Sequence, residues 1–94
     1  YTGGTTGKAK GVLLSNRAAN TIAFQYKYAD KVLDFQNGER FLDIIPPFLA
    51  YGLFLGVHMA LCTCLEDVLC PDPAPERLPK LFTKYRPNHL SGGP

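Results

Sequence analysis

Tyr1-Thr2-Gly3-Gly4-Thr5-Thr6-Gly7-Lys8-Ala9-Lys10-Gly11 opens the chain, and its first ten positions hold three glycines, four hydroxyl side chains and two lysines but no acid. Glycine reaches backbone conformations that other residues resist. Successive N–H groups can therefore turn toward one centre and form an anion-binding nest, with hydroxyls and ammonium groups at its rim. A polyphosphate is the guest that such a loop suits. The bland alternative is a Gly/Thr hairpin turn with solvated lysines.

Two familiar phosphate loops are excluded by spacing. A Walker loop needs glycine five residues before the glycine of Gly-Lys, and Ser or Thr after the lysine. Here those positions hold Thr2 and Ala9. The dinucleotide fingerprint fails because Gly4 and Gly7 lack a glycine two residues upstream of Gly4. The stretch instead resembles the phosphate loop of adenylate-forming (AMP-binding) enzymes, Y-T-S-G-T-T-G-K-P-K-G, departing from it at Gly3 and Ala9. That family includes acyl-CoA synthetases, nonribosomal-peptide adenylation domains and luciferases. The resemblance implies that Thr2, Gly3, Gly4, Thr5, Thr6, Gly7, Lys8, Ala9 and Lys10 bind nucleotide. It also implies ATP, Mg²⁺ and coenzyme A as cofactors and co-substrates, and a fragment of the family's large N-terminal domain, about a fifth of a member's length.

The 94 residues suffice for one small domain, with 46% hydrophobic residues to form a core. The chain starts inside a functional motif and its only methionine is Met59, so an internal segment spanning residues 1–94 is expected, completed by the remainder of its own polypeptide. A net charge of +2 creates no field for nucleic acid. A polar N-terminus shows no signal peptide, and three cysteines do not suggest a disulfide framework. A reducing cytoplasm is the expected compartment.

Local signals then alternate. Gly11–Leu14 reads as a short apolar strand. Ser15 offers an N-cap to a helix from Asn16 to near Asp30, with Ala18, Ala19, Ile22, Ala23 and Tyr26 at helical spacing. Asn37-Gly38 marks a turn. Phe41-Leu42-Asp43-Ile44-Ile45 reads as a buried strand stopped by Pro46-Pro47. A loop over 48–52 leads to a helix from Leu53 to Cys64, apolar almost all round and so expected to be buried on most sides. Residues 44–65 carry no formal charge for 22 positions, yet Pro46, Pro47, Gly52 and Gly56 break a membrane span. Asp67–Cys70 is a strand, Pro71–Pro75 a stiff connector and Glu76–Tyr85 an amphipathic helix. Pro87 ends that helix and a last strand follows near His89. The pattern predicts an α/β layered sheet with alternating strands and helices and right-handed crossovers.

Within this frame, Pro46, Phe48 and Gly52 match the family's Pro-x-Phe-His-x-x-Gly stretch, with Leu49 in place of the His. The resemblance implies an acyl-pocket loop over 46–53, with Phe48, Leu49, Tyr51 and Gly52 lining it and a hydrophobic acyl chain as substrate. Lys84-Tyr85-Arg86-Pro87-Asn88-His89-Leu90 is similar to the family's K-Y-x-P-T-H-L. His58, Cys62, Cys64 and Cys70 are the candidate metal cluster. His58 and Cys62 sit i, i+4 on one helical face, but the set lacks paired zinc spacings, so buried thiols are expected and no metal is assigned. No nucleophile–base–orienter set is visible, and no residue of the segment is expected to be catalytic. The resemblance implies an ATP-dependent acyl-CoA synthetase acting in fatty-acid metabolism, the segment alone being inactive. An adenylation domain loading a carrier protein and a non-enzymatic relative keeping the fold stay open.

Overall fold

The computed structural model describes residues 7–29, 34–70 and 74–93. The expected phosphate donors Thr2, Gly3, Gly4, Thr5 and Thr6, the helix end at Asp30 and the connector residues Pro71, Asp72 and Pro73 lie outside them. α1 runs over Asn16–Lys27. Its start is fixed locally: the Ser15 hydroxyl oxygen accepts the Ala18 N–H at 3.1 Å, pairing one of the donors that a helix start leaves free. Ala23 is its one fully covered residue and joins the core.

β1 (Arg40–Asp43) is the central strand of a parallel three-stranded sheet of order β2-β1-β3, where β2 is Glu66–Leu69 and β3 is His89–Ser91. Arg40 pairs with Glu66 and Asp43 with Leu69 on one side, and Phe41 pairs with His89 and Asp43 with Ser91 on the other. A parallel strand flanked on both edges is covered, and Phe41, Leu42 and Asp43 are all buried. The core is small: Ala23, Phe41, Met59, Ala60 and Leu65, with Tyr26, Phe35 and Cys62 packed against it. The molecule is mixed α/β, with the parallel pairing that the alternation predicted.

Between β1 and β2 the chain turns at Pro47-Phe48 and becomes helical at Ala50. Gly52–His58 winds as a wide π-helix and continues without a break into α2, Met59–Cys62. Helicity thus begins earlier than Leu53. A side chain at Gly52 would strike the Ile45 and Pro46 carbonyls, and one at Gly56 would strike the Asp43 carboxylate. Both glycines are buried where the helix presses on β1 and the segment after it. The glycines that weaken a helix by propensity are here the condition for its docking.

The far end of α2 carries a Schellman motif. Leu65 N–H donates to Ala60 O at 3.0 Å and Cys64 N–H to Leu61 O at 3.4 Å. The left-handed residue that closes this motif is Cys64, at φ 60°, where glycine is the usual occupant. α3 (Leu78–Tyr85), entered through a 3₁₀ turn at Pro75–Arg77, ends on Arg86 at φ 47°. Arg86, the residue before Pro87, closes the helix in the left-handed conformation, and its N–H donates to Phe82 O at 2.9 Å.

Two expectations are corrected. Gly11–Leu14 forms no strand, and Val12, Leu13 and Leu14 are exposed, Leu13 completely. Apolar residues mark a strand only where a neighbouring edge pairs with it, and none of the described strands does. The helix through residues 50–62 is not covered on most sides either. Tyr51, Leu53 and Leu61 are exposed, because among the described residues the helix packs on the side that faces α1, β1 and β2.

Candidate functional site

Three features are candidates for the site. The first is the tail of the glycine loop. Gly7 lies at φ +80° and has nothing within 4 Å of the space a side chain would fill. Lys8, Ala9 and Lys10 are exposed beside it. A left-handed glycine in open space, followed by two exposed lysines, can present N–H groups and positive charge to an anion. The described loop residues carry no carboxylate.

The second is a cavity of about 340 Å³ between α1, the π-helix and β3. Tyr26, Phe35, Phe41 and Tyr51 supply aromatic walls, and Leu55 and Met59 an aliphatic one. β3 supplies the polar side through His89 and Ser91. His89 Nε2 lies 2.7 Å from Glu39 Oε2, and its ring meets Phe35 edge-on at 4.7 Å between centroids. His89 is thus held in the strand by a hydrogen bond and a ring contact. The Gln36 N–H, and then the His89 hydrogen bond, hold the Glu39 carboxyl below its ordinary value.

Of the loop residues proposed from resemblance, Tyr51 lines this cavity. Gly52 is buried against the Ile45 and Pro46 carbonyls. Phe48 is 83% exposed and Leu49 48%, both outside the cavity wall. Tyr26, Phe35, Leu55, Met59 and His89 reach the cavity from separate segments, and no local spacing would have joined them.

The third is a buried carboxylate. Asp43 is 1% exposed, and its Oδ1 accepts the Ser91 hydroxyl at 2.8 Å and the Ile45 N–H at 3.1 Å. Its Oδ2 faces Gly56 and has no hydrogen-bond partner, as is true of Asp67 Oδ1 on the neighbouring strand. Burial, and then the charge of Asp43, push the Asp67 carboxyl up to about 6.

Among the described residues no group of three or more His, Cys, Asp or Glu is placed to hold a metal ion. Cys62, Cys64 and Cys70 form no disulfide with one another; Cys62 and Cys70 are half-buried, while Cys64 is exposed and not buried as expected. No helix of the described residues is long and apolar enough to cross a membrane.

The sequence profile of the AMP-binding enzymes matches residues 1–94, the whole chain. The chain belongs to the AMP-binding enzyme family. A long-chain-fatty-acid–CoA ligase of Bacillus subtilis is 35% identical over the whole chain, which covers 17% of that relative. An anthranilate–CoA ligase of Pseudomonas aeruginosa is 36% identical, again over the whole chain and 18% of the relative. A chloroplastic long-chain-fatty-acid–[acyl-carrier-protein] ligase of Arabidopsis thaliana is 41% identical over 54% of the chain and 7% of its own length. The chain thus spans less than a fifth of the first two relatives. No solved structure matches it significantly.

Proposed function

We propose that the polypeptide carrying this chain is an ATP-dependent acyl-CoA synthetase, and that the chain supplies its phosphate loop and part of its acyl pocket. In that reaction a carboxylate oxygen attacks the α-phosphorus of ATP, pyrophosphate leaves with the bridging electrons, and the thiol of coenzyme A then displaces AMP from the acyl group. Loop donors aimed at the leaving pyrophosphate lower the barrier most, because charge grows there in the transition state. The observation that carries this reading is Gly7 at φ +80° with open space around it and exposed Lys8 and Lys10 alongside. Thr2, Gly3, Gly4, Thr5, Thr6 and Ala9 complete the proposed loop. The whole loop, Tyr1–Gly11, lacks a carboxylate. It therefore suits phosphate oxygens, and Mg²⁺ would take its protein ligands from elsewhere in the polypeptide.

The acyl group is proposed to be hydrophobic. The aromatic and aliphatic walls of the 340 Å³ cavity support this, with no lysine or arginine among its described lining residues. Phe48, Leu49, Tyr51 and Gly52 belong to the proposed pocket loop, Phe48 and Leu49 needing cover from other parts of the polypeptide. The name of the Arabidopsis relative favours a second reading for the acceptor, a carrier protein instead of coenzyme A.

Pyrophosphate exchange in the full-length protein, driven by a series of carboxylic acids, tests the proposal. Changing Lys8 and Lys10 together to Ala should lower exchange about 10²–10³-fold while acid binding persists. Unchanged exchange would remove the loop assignment. Strong preference for acetate or an amino acid over every medium or long acyl chain would remove the hydrophobic pocket.

A further inference from the structure

Where α1 meets the helix through residues 50–62, three lone-pair donors come together on residues that do not line the cavity. Cys62 Sγ lies 3.6 Å from His58 Nε2, and Asn20 Oδ1 lies 3.0 Å from the same nitrogen. His58 and Cys62 are one helical turn apart on the second helix, and Asn20 reaches across from the first. The Phe54 ring meets the His58 ring edge-on at 6.4 Å between centroids and limits how it turns.

A single imidazole nitrogen serves both neighbours only weakly, because its one N–H is shared between the Asn20 oxygen and sulfur, a poor acceptor. A cation held by the nitrogen and the thiolate would engage both at full strength. The separation also fits: Zn–S and Zn–N bonds of about 2.3 and 2.05 Å at a tetrahedral angle place sulfur and nitrogen about 3.6 Å apart. Asn20 is exposed, with His58 and Cys62 half-buried, so an ion can enter from solvent.

We propose that His58 and Cys62 chelate a soft divalent cation of the zinc class, with Asn20 Oδ1 as a weaker third donor and water in the remaining position. Thiolate and imidazole together select such ions over Mg²⁺ or Ca²⁺. Binding replaces the thiol proton by the metal, and the proton leaves to solvent. The bound ion would tie α1 to α2.

The test is zinc titration of the full-length protein by calorimetry, with cadmium as a second probe through its sulfur-to-metal ultraviolet band. Cys62→Ser and His58→Ala should each weaken one component of zinc binding by at least about 10–100-fold and abolish its cadmium band. Asn20→Ala should weaken it by a smaller factor, and Cys64→Ser and Cys70→Ser should leave it unchanged. Binding that survives Cys62→Ser or His58→Ala, or no zinc binding at all, would overturn the site. A measurement without substitutions covers the case of poorly folding variants. Zinc should slow iodoacetamide alkylation of Cys62 relative to Cys64, followed by mass spectrometry, and equal rates with and without zinc would also overturn it.

Discussion

Asp67 carries a charge that the fold resists. Its carboxyl goes from an ordinary 3.8 in the unfolded chain to about 6 in the folded one, through burial first and Asp43 second. An acid whose folded value is raised is bound more tightly to its proton by the native state. Its contribution to stability is therefore full below 3.8 and lost as the pH rises through about 6. Replacing Asp67 by Asn removes the titration. The melting temperature of Asp67→Asn minus that of the parent full-length protein should grow across that window and level off above it. A difference that is flat with pH would show that Asp67 ionises freely. Cys64 is a second residue under constraint. A side chain in the left-handed region costs about 1–2 kcal/mol relative to the right-handed one, and glycine avoids that clash at the expense of its own backbone entropy. Cys64→Gly should raise the melting temperature, and a fall would mean that the Schellman closure depends on the thiol.

At the level of elements, the π-helix meets β1 at Gly56 with no room for a side chain. Gly56→Ala must push the helix off the Asp43 carboxylate, which is already held by Ser91 and Ile45. The loss should be at the upper end of about 1–3 kcal/mol for overpacking, read as a drop in denaturation midpoint. A neutral Gly56→Ala would show that the helix has room to move. This joint also marks the boundary of what the sequence made legible. The start of α1 was readable because capping is local: Ser15 and Ala18 are three residues apart. The Asn37-Gly38 turn was readable for the same reason, Gly38 sitting at φ +81°. The Gly11–Leu14 strand was not, because a strand exists by virtue of a partner that its own residues do not name. Helix docking through Gly52 and Gly56 was also hidden, since the glycines looked like breaks. For the site, the resemblance to a family motif is what proposes Lys8 and Lys10. The cavity brings together residues from 26 to 91 through the sheet register, which local periodicity does not encode.

For the molecule as a whole, the accessible surface is 7039 Å². A compact monomer of 10.3 kDa exposes about 5,400 Å². The radius of gyration is 14.5 Å, against about 12 Å for a compact chain of this length. Large apolar side chains stand in that surface: Leu13, Phe48, Tyr28 and Leu61 are each more than two-thirds exposed. Expressed as 94 residues alone, the chain should therefore associate or precipitate. Size-exclusion chromatography and a thermal melt decide it, a monodisperse monomer with a cooperative transition being the result that refutes this. The strand order β2-β1-β3 has a further consequence during synthesis. β1 is made first yet sits in the middle, and Asp43 waits 48 residues for Ser91 to appear. At about 5–20 residues per second on the ribosome, that interval lasts roughly 2–10 s. For those seconds the nascent chain holds out an open strand edge beside a carboxylate with no hydroxyl to meet it, a natural moment for a chaperone to bind.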